Sequence, residues 1–148
     1  MKLTRRGMLK RIIAGSAIAL VPFGAFAQWM EAAFKADSYS GALSAIGADG
    51  TTLSDKVKLK APEIAENGAV VPIQVSSTLE NIESISILVE KNPTPLTAQF
   101  KMFPGLKPDF KIRVRMGETS KVIAVVQAGG KSYTAESEVK VTIGGCGG

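Results

Sequence analysis

Cys146 is the only cysteine in the chain, and its neighbours in Gly144-Gly145-Cys146-Gly147-Gly148 carry no side chains. A thiol can act as a nucleophile, ligate a metal or pair with another thiol, and its surroundings decide which. Glycine has no β-carbon, so this stretch reaches backbone conformations closed to other residues and cannot by itself nucleate a helix or pack a core. It reads as a flexible arm. At no more than about 3.3–3.6 Å per residue, Cys146 can stand roughly 10 Å beyond Ile143, far enough to enter a cleft on another protein. The arm holds no cation, and the terminal carboxylate of Gly148 disfavours a second negative charge nearby. A free thiol with a pKa of about 8.5 is only a few per cent ionised at neutral pH. Activation must therefore come from outside, which favours a carried thiol over a self-contained catalyst. Flanking glycines also suit a group that enters several differently shaped sites, whereas an ordinary catalytic cysteine needs a fixed position.

The chain contains no histidine. Ser-His and Cys-His pairs are thereby removed, as is the nitrogen and sulfur ligand set of a zinc or haem site. No Asp/Asn-rich loop suggests calcium. Lysine or carboxylate bases remain conceivable, but no spacing singles one out. The expectation is no catalytic residue, no metal and no cofactor.

The N-terminus reads Thr4-Arg5-Arg6-Gly7-Met8-Leu9-Lys10, then a mostly apolar run from Ile12 to Phe26 broken by Gly15 and Ser16, then Ala25-Phe26-Ala27. A basic start, a short apolar middle and a small-x-small site describe an export signal; a membrane span needs about 20 apolar residues. The paired arginines resemble a twin-arginine signal, with Met8 where an aromatic residue is commoner. Cleavage is expected after Ala27, giving a periplasmic chain that starts at Gln28. Lys2, Arg5, Arg6, Lys10 and Arg11 account for the whole net charge of +5. The remainder is close to neutral, which argues against nucleic acid as a partner, and with the signal removed no membrane association is expected. Exported proteins usually carry cysteines in pairs, so an odd one points to an intermolecular bond or a reactive thiol. Twin-arginine cargo generally folds before export; with no evident cofactor to require this, export already docked to a folded partner is the natural reading.

Residues 1–27 thus read as signal, 28–50 as a helical segment, 51–143 as a β-domain and 144–148 as the arm. In the helical segment Trp29, Ala32, Ala33 and Ala36 share one helical face, and Asp37 or Ser38 could cap a second helix ending near Gly47. These helices are expected to cover an end or edge of the main fold. From Thr51 onward the period becomes two. Lys56–Ala61, Val71–Val75 and Ile85–Val89 alternate. Phe110–Met116 alternates most strictly, with Lys111, Arg113 and Arg115 alone on one face. Lys121–Gln127 is apolar on both faces and suits a central strand. Tyr133–Ile143 alternates and runs straight into the arm. Turn signals fall at Glu66-Asn67-Gly68, Lys91-Asn92-Pro93, Phe103-Pro104-Gly105, Met116-Gly117-Glu118 and Gly129-Gly130-Lys131. About seven strands at such spacing predict an all-β, immunoglobulin-like antiparallel β-sandwich, with Pro72 on an edge strand or a bulge.

The sequence resembles the SoxY sulfur-carrier proteins of periplasmic thiosulfate oxidation. The resemblance rests on the twin-arginine leader, Lys60-Ala61-Pro62-Glu63-Ile64-Ala65-Glu66-Asn67-Gly68, Ile87-Leu88-Val89-Glu90-Lys91-Asn92-Pro93, and above all Val141-Thr142-Ile143-Gly144-Gly145-Cys146-Gly147-Gly148. It implies a substrate-bearing subunit, not an enzyme, that pairs with SoxZ as a heterodimer and holds pathway intermediates covalently on Cys146. The haem enzyme SoxAX would join thiosulfate oxidatively to the thiol. SoxB would release sulfate hydrolytically, leaving a persulfide for SoxCD where that dehydrogenase is present. Two readings from other classes stand beside it: an exported structural module linked through a Cys146 disulfide, and a thiol sulfurtransferase acting alone. The stripe Lys111, Arg113 and Arg115 reads first as a solvated strand face and more sharply as a dock for an acidic partner. Lys56, Lys58 and Lys60 are read likewise, and the Glu90–Pro93 turn reads first as structural, with Pro93 setting the loop, and second as a border of the partner interface.

Overall fold

The computed structural model describes residues 30–142. Two helices, α1 (Glu31–Lys35) and α2 (Tyr39–Ala45), precede nine strands among the described residues. These are β1 (Thr51–Leu53), β2 (Val57–Lys60), β3 (Ile64–Ala65), β4 (Val71–Ser77), β5 (Ile82–Val89), β6 (Leu96–Lys101), β7 (Asp109–Val114), β8 (Ser120–Ala128) and β9 (Lys131–Val141). They form an all-β sandwich. The large sheet runs β1-β9-β8-β5-β6, with β3 also paired to β9, and the small sheet runs β2-β4-β7.

Alternation explains the core. Val71, Ile73 and Val75 of β4 and Val114 of β7 face Ile85, Ile87 and Val89 of β5 and Val122, Ala124 and Val126 of β8. As its composition requires, β8 is central, lying between β5 and β9. The β8–β9 hairpin turns on Gly129 and Gly130, whose φ angles of 56° and 72° are open to glycine at no steric cost.

The antiparallel sandwich holds with one exception, and two expectations are corrected. The ladders are antiparallel except at the open edge of β9, where β1 and β3 pair parallel to it, one near each end. The chain reaches this edge, crosses to the small sheet as β2, and returns. Pro72 sits in β4, the middle strand of the small sheet; however, β2 pairs with β4 only as far as Gln74, so Pro72 has a neighbour strand, β7, on one side alone. The helices cover a face, not an end. Ala33, Ala42 and Ile46 pack on Leu88, Leu96, Ile123 and Val125 of the large sheet's outer side.

Local chemistry sets the helix limits. The Ser38 hydroxyl accepts from the Gly41 N–H at 3.2 Å and caps α2. Gly47, at φ 71°, stops it. Ala33 is buried while Ala32 is exposed, because a helix as short as α1 lays only one narrow stripe on the sheet. Trp29 lies outside the described residues, as does the signal segment. Among the described residues no helix is long and apolar enough to cross a membrane.

Candidate functional site

Cys146 and its flanking Gly144, Gly145, Gly147 and Gly148 lie outside the described residues, as does Ile143. What the structure does define is the ground from which that segment departs. Strand β9 ends at Val141, and three loops share its end of the sandwich: 61–70, 90–95 and 115–119.

The first of these loops braces the strand. Ile64 and Ala65 pair in parallel register with Lys140 and Val141. The Lys140 N–H donates to the Glu63 carbonyl at 2.9 Å, and the Thr142 N–H to the Ala65 carbonyl at 3.1 Å. From the other side the Val141 N–H donates to Thr119 Oγ1 at 3.0 Å. Each of the last three described residues is thus tied down by its backbone, at roughly 0.5–1.5 kcal/mol net per bond.

Gly68 closes the brace. Its carbonyl accepts from the Met116 N–H at 2.7 Å. A β-carbon built at Gly68 would press on the Met116 carbonyl oxygen and lie 2.8 Å from Val141 Cγ1, so only glycine lets the loop sit this close. The Asn67 side chain accepts from the Ala69 N–H at 2.9 Å and shapes the turn. Sequence reading marked 66–68 as a turn, but it did not foresee that Gly68, Ala65 and Thr119 hold the root of the arm. No residue spacing carries that information, because the partners come from two loops far apart in the chain.

The second loop is structural, as read from its sequence. Asn92 Nδ2 donates to the Arg115 carbonyl at 2.7 Å, and the Gly117 N–H donates to Asn92 Oδ1 at 3.3 Å. Arg115 lies beyond the end of β7 at Val114 and lines a separate hollow with Asn92, Pro93 and Gly117, apart from the stripe. Lys111 and Arg113 instead join Lys60 along a groove of about 790 Å³ on the outer face of the small sheet, with Ala61, Pro62 and Pro72.

The large sheet presents different electrostatics. Lys121 Nζ lies 3.0 Å from Glu136 Oε1 on its outer side, and this hydrogen bond and charge pull the exposed ammonium's pKa upward. Tyr39 of α2 is also raised, first by burial and then by the charges of Glu90 and Glu136.

The comparisons bear on the same region. The family model described as sulfur oxidation protein SoxY matches residues 43–146, a span that takes in both the brace and Cys146. The chain belongs to the SoxY family. Among solved structures it is similar to the sulfur carrier protein SoxY from Chlorobium limicola f thiosulfatophilum, with 43% identity and a TM-score of 0.61. That match covers 68% of this chain and 93% of the other. A search of curated proteins finds no match. Membership of the SoxY family makes this chain a sulfur carrier, and the described residues supply what a carrier needs at its base: a firm root.

Proposed function

We propose that this SoxY-family chain carries the sulfur intermediates of periplasmic thiosulfate oxidation as covalent adducts of Cys146, reached by twin-arginine export and paired with SoxZ. The observation that carries the reading is the braced root of β9 shortly before a Gly-Gly-Cys-Gly-Gly segment, with both the root and Cys146 within the residues matched by the family model. The root fixes where the thiol leaves the protein, and the glycines let it enter another.

The chemistry balances with the thiol as handle. Loading joins the outer sulfur of thiosulfate to the cysteine sulfur, forming an S–S bond with loss of the thiol proton and two electrons. The haem groups of SoxAX take those electrons. SoxB then adds water across the terminal S–S bond, releasing sulfate and a proton and leaving a persulfide on Cys146. Where SoxCD is present, it oxidises that persulfide further. In each step the catalytic groups belong to the partner, in keeping with a chain that lacks histidine altogether.

Intact-mass measurement under non-reducing conditions, after incubation with thiosulfate and SoxAX, tests this. The wild type is expected to gain one thiosulfonate on the peptide containing Cys146, and Cys146→Ser to gain none while keeping its melting temperature and its pairing with SoxZ. A doubled mass that reductant abolishes, with no adduct, would instead support a disulfide-linked structural module. Turnover by the isolated chain would support an autonomous sulfurtransferase.

A further inference from the structure

We propose that the outer face of the small sheet is a transient docking surface for an acidic protein surface, the rim of whichever enzyme takes in Cys146. The proposal rests on the carrier reading above and adds where the enzyme touches.

Lys58 and Lys60 of β2 and Lys111 and Arg113 of β7 are all exposed and share this face. The registers Lys60↔Gln74↔Lys111 and Pro72↔Arg113 bring three of them around the groove. The one acid on these three strands, Asp109, is occupied by Gln74 Nε2 at 2.7 Å. Among the described residues none of the four cations is in an ion pair; the ion pairs found are Glu31 with Lys35 and Lys121 with Glu136. The fold therefore gathers an unneutralised basic face on a chain whose charges from Gln28 onward balance as a whole.

Position selects the occupant. Lys60 is three residues from Glu63, whose carbonyl holds Lys140 at the root of the arm. Cys146 lies four residues after Thr142, a reach of about 14 Å at most. A protein that encloses Cys146 must come that near to Thr142, and the basic groove begins beside that point. Charge also suits the task. A carrier that visits successive enzymes gains from fast association and easy release, which complementary charge supplies better than a large apolar contact does. A membrane is the weaker fit: the face is concave, and the exposed Phe103 and Leu106 that could insert lie in the β6–β7 loop at the other end of the sandwich.

The test compares the full chain, paired with its heterodimer partner, with the variant Lys60→Glu/Lys111→Glu/Arg113→Glu. The readout is the rate at which the purified thiosulfate-joining enzyme loads Cys146. At low ionic strength kcat/KM is expected to fall about 10- to 100-fold, with the gap closing as salt is raised. The reaction of Cys146 with a small uncharged disulfide should be unchanged. Reversal at the far end, Lys107→Glu/Lys131→Glu, should leave loading unaffected. Equal loading of the triple variant at low salt would overturn the proposal, as would an equal loss in the far-end variant. Loss of pairing or of self-association in size-exclusion would assign the face to a permanent interface instead. Binding of the wild type, but not the variant, to phosphatidylglycerol vesicles would assign it to lipid. If the enzyme fails to load even the wild type, the carrier reading itself falls.

Discussion

On the outer side of the large sheet, Leu88, Leu96, Ile123 and Val125 lie beneath two helices; on the outer side of the small sheet, Lys58, Lys60, Lys111 and Arg113 are exposed, with nothing over them among the described residues. Strand composition produces the difference. β8 is apolar on both faces and β5 and β6 add Leu88 and Leu96 to its outer side, so burying only the core face would leave a row of large side chains in water. β2 and β7 alternate, and their second face is soluble as it stands. The helices have five and seven residues, too few to persist alone in water. They exist because the sheet offers them apolar ground. Polar pins complete the cover: Gln127 accepts from the Ser84 hydroxyl at 2.7 Å and donates to the Ile46 carbonyl at 2.9 Å, where α2 ends. One face is covered by the chain's own helices, and the other is bare among the described residues.

That contrast can be broken at its strongest point with Leu88→Ala. Leu88 is fully buried between sheet and helices, and truncating such a side chain costs about 2–5 kcal/mol. Urea unfolding should show that loss, whereas the triple charge reversal on the bare face should stay within about 0.5 kcal/mol of wild type. Near-equal midpoints for the two would mean that the helices contribute little. Next in size is Gly68→Ala at the root of the arm. Forcing a methyl between Met116 and Val141 should cost about 1–3 kcal/mol, and amide exchange at Val141 and Thr142 should quicken, while exchange in the distant β6–β7 loop should not. The smallest effect concerns α2. Tyr39 is held above its ordinary value of 10.0, chiefly by burial, so the folded state retains its proton where the unfolded chain has lost it. Stability from this group is complete below about pH 10 and declines as the pH climbs through the raised value. The ultraviolet difference titration between wild type and Tyr39→Phe should show a midpoint above 10.0; one at or below it would mean that α2 does not hold the tyrosine against the sheet.

The longer strands were legible in the sequence because each alternates over enough residues to show its period. β7 was the plainest, and Ser38 and Gly47 marked α2 by local chemistry alone. What escaped was fixed by partners instead of pattern. β6 is an edge strand with half-buried residues and a bulge opposite Ile87 and Leu88, which blurs its alternation. β1 and β3 span three and two residues, too short for any period, and they are strands only because β9 offers an open edge. Burial of Ala33 but not Ala32 depended on which stripe met the sheet. The thiol segment was the reverse case: Cys146 stands out by composition, while the brace at the end of β9 is assembled from two distant loops and could be seen only once they were brought together.

The pairing of β1 and β3 with β9 also fixes an order of events. Of the nine strands, β9 leaves the ribosome last, so Thr51 and Ile64 wait for partners at Ser132 and Lys140. Such distant pairings make closure of the sandwich slow and late. The bonds that root the arm form in the same step. A chain whose thiol stands on a firm base has therefore already finished folding, and one still incomplete has no fixed point from which to present it.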